Sequence, residues 1–96
     1  MVLYPALIKQ NKGSYLVYIP DLDTYTEGSD YLNAVRMAKD AVRTKLATLF
    51  ENGSDLPKPS DHKQMMEKVR LEADDDIDFS DGELIYVELE KRKNYK

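Results

Sequence analysis

The 96-residue sequence contains no cysteine, only one histidine, and four glycines that lie far apart in the chain. Without cysteine the chain can form neither a disulfide nor a thiolate metal site or nucleophile. The single histidine, His62, stands in a polar stretch at the start of a predicted helix, which is typical of a surface residue and cannot complete an acyl-transfer triad. The scattered glycines form no phosphate-binding loop. We therefore predict no catalytic residue and no cofactor.

Long apolar runs and an excess of basic charge are also missing. No run approaches the roughly 18 residues that span a membrane, and the N-terminus lacks the pattern of a secretion signal. We expect a soluble, cytoplasmic protein without membrane contact. The chain carries 14 Lys and Arg against 18 Asp and Glu, and four of the basic residues fall within 91–96. The acidic body should repel a phosphate backbone and favour a basic protein partner.

The strand-like segments indicate one α+β domain over residues 1–90, followed by a basic tail over 91–96. Two runs rich in β-branched and aromatic residues, 2–10 and 14–20, flank Asn11-Lys12-Gly13 and predict a hairpin. Pro5 lacks an amide donor, so its strand should be an edge or bulged at that point. A short third strand over 24–27 should end at Gly28, and a C-terminal strand should occupy 83–90.

Two helices are predicted between the third and the last strand. The longer one begins after Ser29-Asp30 and ends at Asn52-Gly53, and its apolar residues recur every three to four positions. It should pack on one face of the sheet. After a proline-containing connection, Ser60-Asp61 should cap a weaker helix that ends near Leu71. The predicted order is β-β-β-α-α-β, an antiparallel three-stranded meander plus a C-terminal strand in one sheet.

The segment 72–83 holds seven carboxylates and no basic residue. A calcium-binding loop requires glycine at its sixth position and glutamate at its twelfth. Counting from Asp76 places Asp81 and Val87 there, and counting from Asp74 places Phe79 at the sixth position. We therefore predict a solvated acidic loop and no metal site. A lure for a basic partner is a second interpretation compatible with the same residues.

Five motifs in a fixed order resemble the HicB-like antitoxin family. They are Tyr4-Pro5-Ala6, Pro20-Asp21-Leu22, Thr26-Glu27-Gly28, the helix alanines Ala34, Ala38 and Ala41, and Leu56-Pro57-Lys58-Pro59-Ser60. Family members commonly continue Pro-Asp-Leu with Pro-Gly-Cys, whereas this chain has Asp23-Thr24 and a shorter turn. The resemblance covers nearly the whole chain.

The resemblance implies a truncated ribonuclease H-like fold without catalytic carboxylates, in a form that lacks a C-terminal DNA-binding domain. The implied activity is neutralisation of a small basic HicA-type toxin that cleaves mRNA, by a protein that forms a homodimer or a higher homo-oligomer. Direct DNA binding is not expected. From their charge alone, we predict that five carboxylates contact the toxin: Asp21, Asp23, Glu27, Asp76 and Asp78.

Two alternative functions remain open on the sequence. A metal-dependent nuclease remnant would use Asp76 and Asp78 in the acidic segment. An orphan ligand-binding or structural module would share the fold and have no toxin partner. The gene beside this one would separate these readings, because an antitoxin of this kind is encoded next to its toxin.

Overall fold

The computed structural model describes residues 2–71 and 79–89. Four strands form one antiparallel sheet in the order β3-β2-β1-β4, accompanied by two helices, which confirms the predicted α+β fold. In chain order the elements are β1 (Val2–Asn11), β2 (Ser14–Ile19), a 3-10 turn (Pro20–Leu22), β3 (Thr24–Gly28), α1 (Tyr31–Glu51), α2 (His62–Leu71), a second 3-10 turn (Phe79–Asp81) and β4 (Glu83–Leu89). The predicted acidic loop over 72–83 lies outside the described residues up to residue 78. Its last part is not a solvated loop, because Phe79 is buried in the second 3-10 turn and Glu83 begins β4. The basic tail over 91–96 also lies outside the described residues.

The first hairpin closes with a two-residue turn. Lys12 and Gly13 both adopt positive φ, 49° and 86°, between the paired residues Asn11 and Ser14. Two consecutive left-handed residues twist a turn in the same sense as the strands that it joins, which is why glycine is favoured there. The predicted hairpin is therefore confirmed, together with the turn chemistry that sets its register.

Pro5 lies in a strand that is central in the sheet, yet its surroundings resemble those of an edge. In the described sheet, β1 pairs with β2 from Leu7 onward, whereas Pro5 pairs with Tyr86 of β4. At this position β1 therefore has one neighbouring strand instead of two. The missing amide of proline is tolerated where the strand has no second ladder to complete. The prediction of a local edge is confirmed.

Helix α1 packs on one face of the sheet, as predicted. Asp30 caps it by accepting a hydrogen bond from the backbone amide of Asn33 at 2.8 Å, and Gly53 at φ 72° follows its last turn. Its buried residues repeat at four-residue intervals and meet inward-facing side chains of the strands. They are Ala34, Ala38, Val42 and Leu46. The alanines allow the helix to approach the sheet closely, so α1 forms the larger part of the core.

Helix α2 packs on the opposite face, which makes the fold a three-layer arrangement. Met65 and Val69 are buried against Leu7 and Tyr18 of the sheet and against Phe79. A capping box begins the helix: Asp61 accepts from the amide of Gln64 at 2.8 Å, and the Gln64 side chain accepts from the amide of Asp61 at 3.1 Å. The sequence predicted this helix and its cap, but not the face that it covers.

Gly28 joins β3 to α1 at a point where the two backbones nearly touch. A Cβ atom at this position would overlap the backbone nitrogen and Cα of Ala34. Backbone atoms at the start of a helix cannot move aside as a flexible side chain can. The junction therefore requires glycine for space, although Gly28 does not adopt positive φ.

We expect Gly28→Ala to lower the free energy of unfolding by about 2–3 kcal/mol, because the methyl group must displace the start of α1. Gly53→Ala is the matched control, since Gly53 faces open space and only its left-handed backbone is disfavoured. That control should cost about 1 kcal/mol. Urea denaturation of both variants measures the difference, and equal losses would contradict the steric explanation.

Candidate partner-binding surface

Asp21 is a buried charge at the end of the sheet. Its side chain is fully inaccessible to solvent, and it lies in the 3-10 turn between β2 and β3. The carboxylate accepts a hydrogen bond from the backbone amide of Ser60 at 2.7 Å and another from the Ser60 hydroxyl. It also pairs with the Nζ atom of Lys68, in α2, at 2.9 Å. Asp21 thus connects the β2–β3 turn to the start and the middle of α2.

The partners of Asp21 keep it ionised despite its burial. Burial by itself raises the pKa of a carboxylate, but the hydrogen bonds from Ser60 and the charge of Lys68 outweigh it and lower the pKa of Asp21 below its usual 3.8. A carboxylate engaged in this way has no free surface. The sequence grouped Asp21 with Asp23 and Glu27 as partner contacts, and the structure instead gives Asp21 an internal, structural position.

Asp23 and Glu27 are both exposed. Asp23 adopts a left-handed conformation, φ 50°, and its amide donates to the carbonyl of Pro20 at 3.1 Å. Glu27 lies on β3, on the same side as Tyr25, because alternate residues of a strand share a face. These two carboxylates therefore remain available to a partner at the outer strand of the sheet.

Tyr25 stands between these carboxylates and is held in place by aromatic contacts. It is 53% exposed, and its ring stacks on that of Tyr18 with centroids 4.4 Å apart and an interplanar angle of 14°. Phe79 lies against both rings, 5.5 Å from Tyr18 and 6.0 Å from Tyr25. Tyr25 is thus held by packing against these rings while about half of the residue is exposed to solvent.

A further carboxylate approaches the same face of the sheet from the second 3-10 turn. Asp81 is 72% exposed and pairs with Lys9 of β1 at 2.9 Å. In the sheet register Lys9 stands opposite Leu16, which stands opposite Glu27. We call this surface the acidic tyrosine patch and define it as Asp23, Tyr25, Glu27 and Asp81.

The two remaining predicted contacts, Asp76 and Asp78, lie outside the described residues. Asp78 directly precedes Phe79 in the chain. Because Phe79 packs on Tyr25, the chain carrying the acidic segment enters the described structure beside the patch.

The described residues offer little for other chemistry. Within 2–71 and 79–89, no three His, Asp or Glu side chains are grouped closely enough to hold a metal ion. His62 is exposed at the first position of α2. In the same part of the chain, the helices are too short or too polar to cross a membrane. The nuclease alternative rested on Asp76 and Asp78, which lie outside this region.

Comparison with known proteins shows to which family the chain belongs. The profile of the HicB-like antitoxins of bacterial toxin–antitoxin systems matches residues 4–91. The chain belongs to this family. A search of curated proteins gives no significant match to this HicB-like chain.

Solved structures similar to this HicB-like chain include a toxin–antitoxin complex from Streptococcus pneumoniae, with 26% identity, a TM-score of 0.71, and coverage of 90% of this chain and 67% of that one. The antitoxin HicB of Burkholderia pseudomallei is 20% identical with a TM-score of 0.69, and the alignment covers 94% of this chain and 63% of that one. A HicA3 and HicB3 toxin–antitoxin complex is 24% identical with a TM-score of 0.68, covering 94% and 100%. The chain thus spans about two thirds of the length of the first two.

Tyr25 and Asp81 are members of the patch that charge counting on the sequence did not select. The available signal was the alternation of Tyr25 and Glu27 within one short strand, which places both side chains on one face. No pattern in the sequence predicts that Asp81 belongs to the patch, because its position depends on the pairing of β4 with β1.

The ion pair of Asp21 makes the stability of the protein depend on pH. Its lowered pKa stabilises the folded state above pH 4, and this contribution is lost as the pH falls through the folded pKa. We expect Asp21→Asn to lower the free energy of unfolding by about 2–3 kcal/mol at pH 7, because hydrogen bonds to a charged group are lost. The difference from the unsubstituted protein should narrow toward pH 2.

Asp23→Asn is the matched control, since Asp23 is an exposed carboxylate in the same turn and asparagine accepts its left-handed conformation. It should change stability by less than about 0.5 kcal/mol. Urea denaturation between pH 7 and pH 2 tests both variants. A loss for Asp21→Asn that stays constant over this pH range would contradict the assigned ion pair.

Proposed function

We propose that this HicB-like chain is a non-catalytic antitoxin that neutralises a small, basic, mRNA-cleaving toxin of the HicA type. The acidic tyrosine patch carries the proposal, because it combines exposed carboxylates with a fixed, half-exposed aromatic ring. The proposed mechanism is steric and electrostatic: the patch occupies the cationic surface with which the toxin would otherwise bind RNA. The similar structures support it, since two of them are complexes of a toxin with an antitoxin.

The charges of the patch suit a toxin that must bind RNA. A surface that holds a phosphate backbone is rich in Lys and Arg, and exposed carboxylates compete for the same cations. Such charges accelerate the encounter of two proteins more than they stabilise the complex. Affinity then needs a central anchor that is shielded from water. Tyrosine is enriched at such positions, and Tyr25 lies among the carboxylates of the patch.

We also propose where the protein acts and that it self-associates. It acts in the cytoplasm, where its toxin would cleave mRNA, and it self-associates as a homodimer or a higher homo-oligomer. We do not expect direct DNA binding through the sheet, because Glu27, the charged residue of β3, is acidic and would repel phosphate groups. We propose that Asp76 and Asp78, which lie outside the described residues, contribute further carboxylates to the contact with the toxin.

The decisive experiment combines the purified protein with the toxin encoded beside its gene. An equimolar amount of the protein should abolish cleavage of a defined RNA by that toxin, and the two should elute together in size-exclusion chromatography at low salt. Unchanged RNA cleavage together with separate elution would overturn the proposal.

Reversing the charges of the patch should weaken the complex. We expect the double substitution Asp23→Lys and Glu27→Lys to lower the association rate and to raise the dissociation constant at least about tenfold at low salt, because cations would then face the toxin's cations. The effect should shrink at high salt, where exposed charges are screened. Surface plasmon resonance at two salt concentrations measures both quantities.

The matched control for this variant is the double substitution Glu51→Lys and Asp55→Lys. Both residues are exposed beyond the buried turns of α1, and the change in net charge is identical. The control should bind the toxin with nearly unchanged affinity. Equal weakening by the two variants would assign the effect to net charge and would exclude the patch as the contact surface.

A further inference from the structure

Tyr25 and Tyr18 stack across the neighbouring strands β3 and β2. They stand opposite each other in the sheet register, and their ring centroids are 4.4 Å apart at an interplanar angle of 14°. The stack therefore runs along the direction in which the two strands pair. In the described sheet β3 is the outer strand, so the ring face of Tyr25 that is turned away from Tyr18 points past the edge of the sheet.

Phe79, the third ring of this cluster, does not cover that outer face. Its centroid is 5.5 Å from that of Tyr18 and 6.0 Å from that of Tyr25. A group on the outer face would be separated from Tyr18 by the whole Tyr25 ring, and would lie much farther from Tyr18 than from Tyr25. Phe79 is instead slightly nearer to Tyr18, so it lies beside the stack. Together with the 53% exposure of Tyr25, this leaves the outer face accessible to a partner.

A carboxylate stands beside the ring. Glu27 is exposed and follows Tyr25 by two residues in β3, so both side chains lie on the face of the sheet that carries α2. Successive residues on one face of a strand are about 6.6 Å apart along the strand. One ligand group can therefore contact the ring of Tyr25 and the carboxylate of Glu27 together.

The opposite face of β3 has a different character. Thr24 and Thr26 line a groove of about 570 Å³ between β3 and α1. The described residues that line this groove include no aromatic side chain, and its two charged residues, Asp40 and Lys45, have opposite signs. A flat cation is therefore favoured at Tyr25 and not in the groove.

The aromatic face and the adjacent carboxylate together match a guanidinium group. The arginine side chain is planar, stacks on aromatic faces and donates hydrogen bonds in a fork that fits a carboxylate. Lysine carries the same charge as a compact, strongly hydrated ammonium, which gains less from a flat surface. A nucleic-acid base also has a face that can stack, but Glu27 would repel its phosphate groups.

We infer that the outer face of Tyr25 and the carboxylate of Glu27 form a binding position for an arginine side chain of the toxin. The inference rests on the proposed function and names the side chain that the acidic tyrosine patch selects. Because Tyr18 and Phe79 already hold the ring, little side-chain entropy is lost when the guanidinium stacks on it. A toxin with lysine at that position would keep the charge and lose the stacking.

Two peptides of equal charge, hexa-arginine and hexa-lysine, separate stacking from charge. We expect the unsubstituted protein to bind hexa-arginine at least about threefold more tightly than hexa-lysine at low salt. Tyr25→Leu should lower this ratio of dissociation constants at least about twofold, and Tyr25→Phe, which keeps the ring, should leave it unchanged. Glu27→Gln should weaken hexa-arginine more than hexa-lysine. Isothermal titration calorimetry measures the constants, and circular dichroism shows whether each variant is folded.

Tyr86→Leu is the matched control. Tyr86 is also 53% exposed, lies on the same face of the sheet in β4 and is followed two residues later by Glu88. Its neighbour across the strands is Pro5 and not an aromatic residue. The two tyrosines thus differ in the stack that holds Tyr25, and Tyr86→Leu should leave the ratio unchanged.

Equal binding of the two peptides by the unsubstituted protein would overturn the inference, and so would a ratio that Tyr25→Leu leaves unchanged. An equal fall in Tyr86→Leu would assign the preference to any exposed tyrosine beside a glutamate and would also overturn it. The RNA-cleavage assay tests the antitoxin function separately. If that assay fails while the preference depends on Tyr25, the position for arginine is supported and the toxin is excluded as its source.

Discussion

The buried carboxylate of Asp21 is the interaction on which the second layer of the protein depends. Helix α2 has ten residues, a length at which an isolated helix is marginal in water. Its position is therefore set by packing and by the contacts of Asp21 with Ser60 and Lys68. Once placed, α2 lays Met65 and Val69 over the sheet. A charge without solvent access thus fixes a helix that could not hold its position alone.

The position of α2 also determines how the exposed residue Tyr25 is packed. The buried cluster under α2 includes Tyr18 and Phe79, and both rings contact Tyr25. Tyr25 is therefore held by a layer whose own position depends on Asp21. A partner that meets Tyr25 finds a ring already ordered, so less side-chain entropy is lost on binding. Asp21, which the sequence analysis predicted as a toxin contact, is thus linked to Tyr25 only through the buried residues under α2.

The short strand β3 presents different side chains on the two faces of the sheet. Side chains of β3 point to the two faces of the sheet, and its backbone groups point along the sheet toward the next strand. Tyr25 and Glu27 lie on the face that carries α2, and Thr24 and Thr26 line the groove on the side of α1. A toxin that binds the face with Tyr25 and Glu27 would therefore leave the side chains of Thr24 and Thr26 uncovered.

The features that the sequence predicted correctly depend on interactions between residues that are close in the chain. Asp30 caps α1 through a residue three positions away, and Lys12-Gly13 forms its turn within four residues, so both could be recognised from their neighbours. The burial of Asp21 depends on Ser60 and Lys68, which are 39 and 47 residues distant. An amphipathic pattern likewise shows that α2 packs, but not on which face. Sequence reasoning therefore predicted the fold, but it did not predict that Asp21 is buried, because the partners of this carboxylate come from another element. The toxin contacts of Asp23 and Glu27 stay predictions.

The shortened turn before β3 depends on an aspartate in a left-handed conformation. Family members commonly have Pro-Gly-Cys after Pro-Asp-Leu, and glycine adopts left-handed conformations without strain. Here Asp23 adopts that conformation at φ 50°, and the Thr24 hydroxyl donates to the carbonyl of Leu22 at 2.8 Å. Aspartate is among the few residues that tolerate this geometry. The shorter turn of this chain is thus closed by Asp23, whose carboxylate is exposed. A partner that recognises this carboxylate would discriminate between antitoxins that differ in this turn.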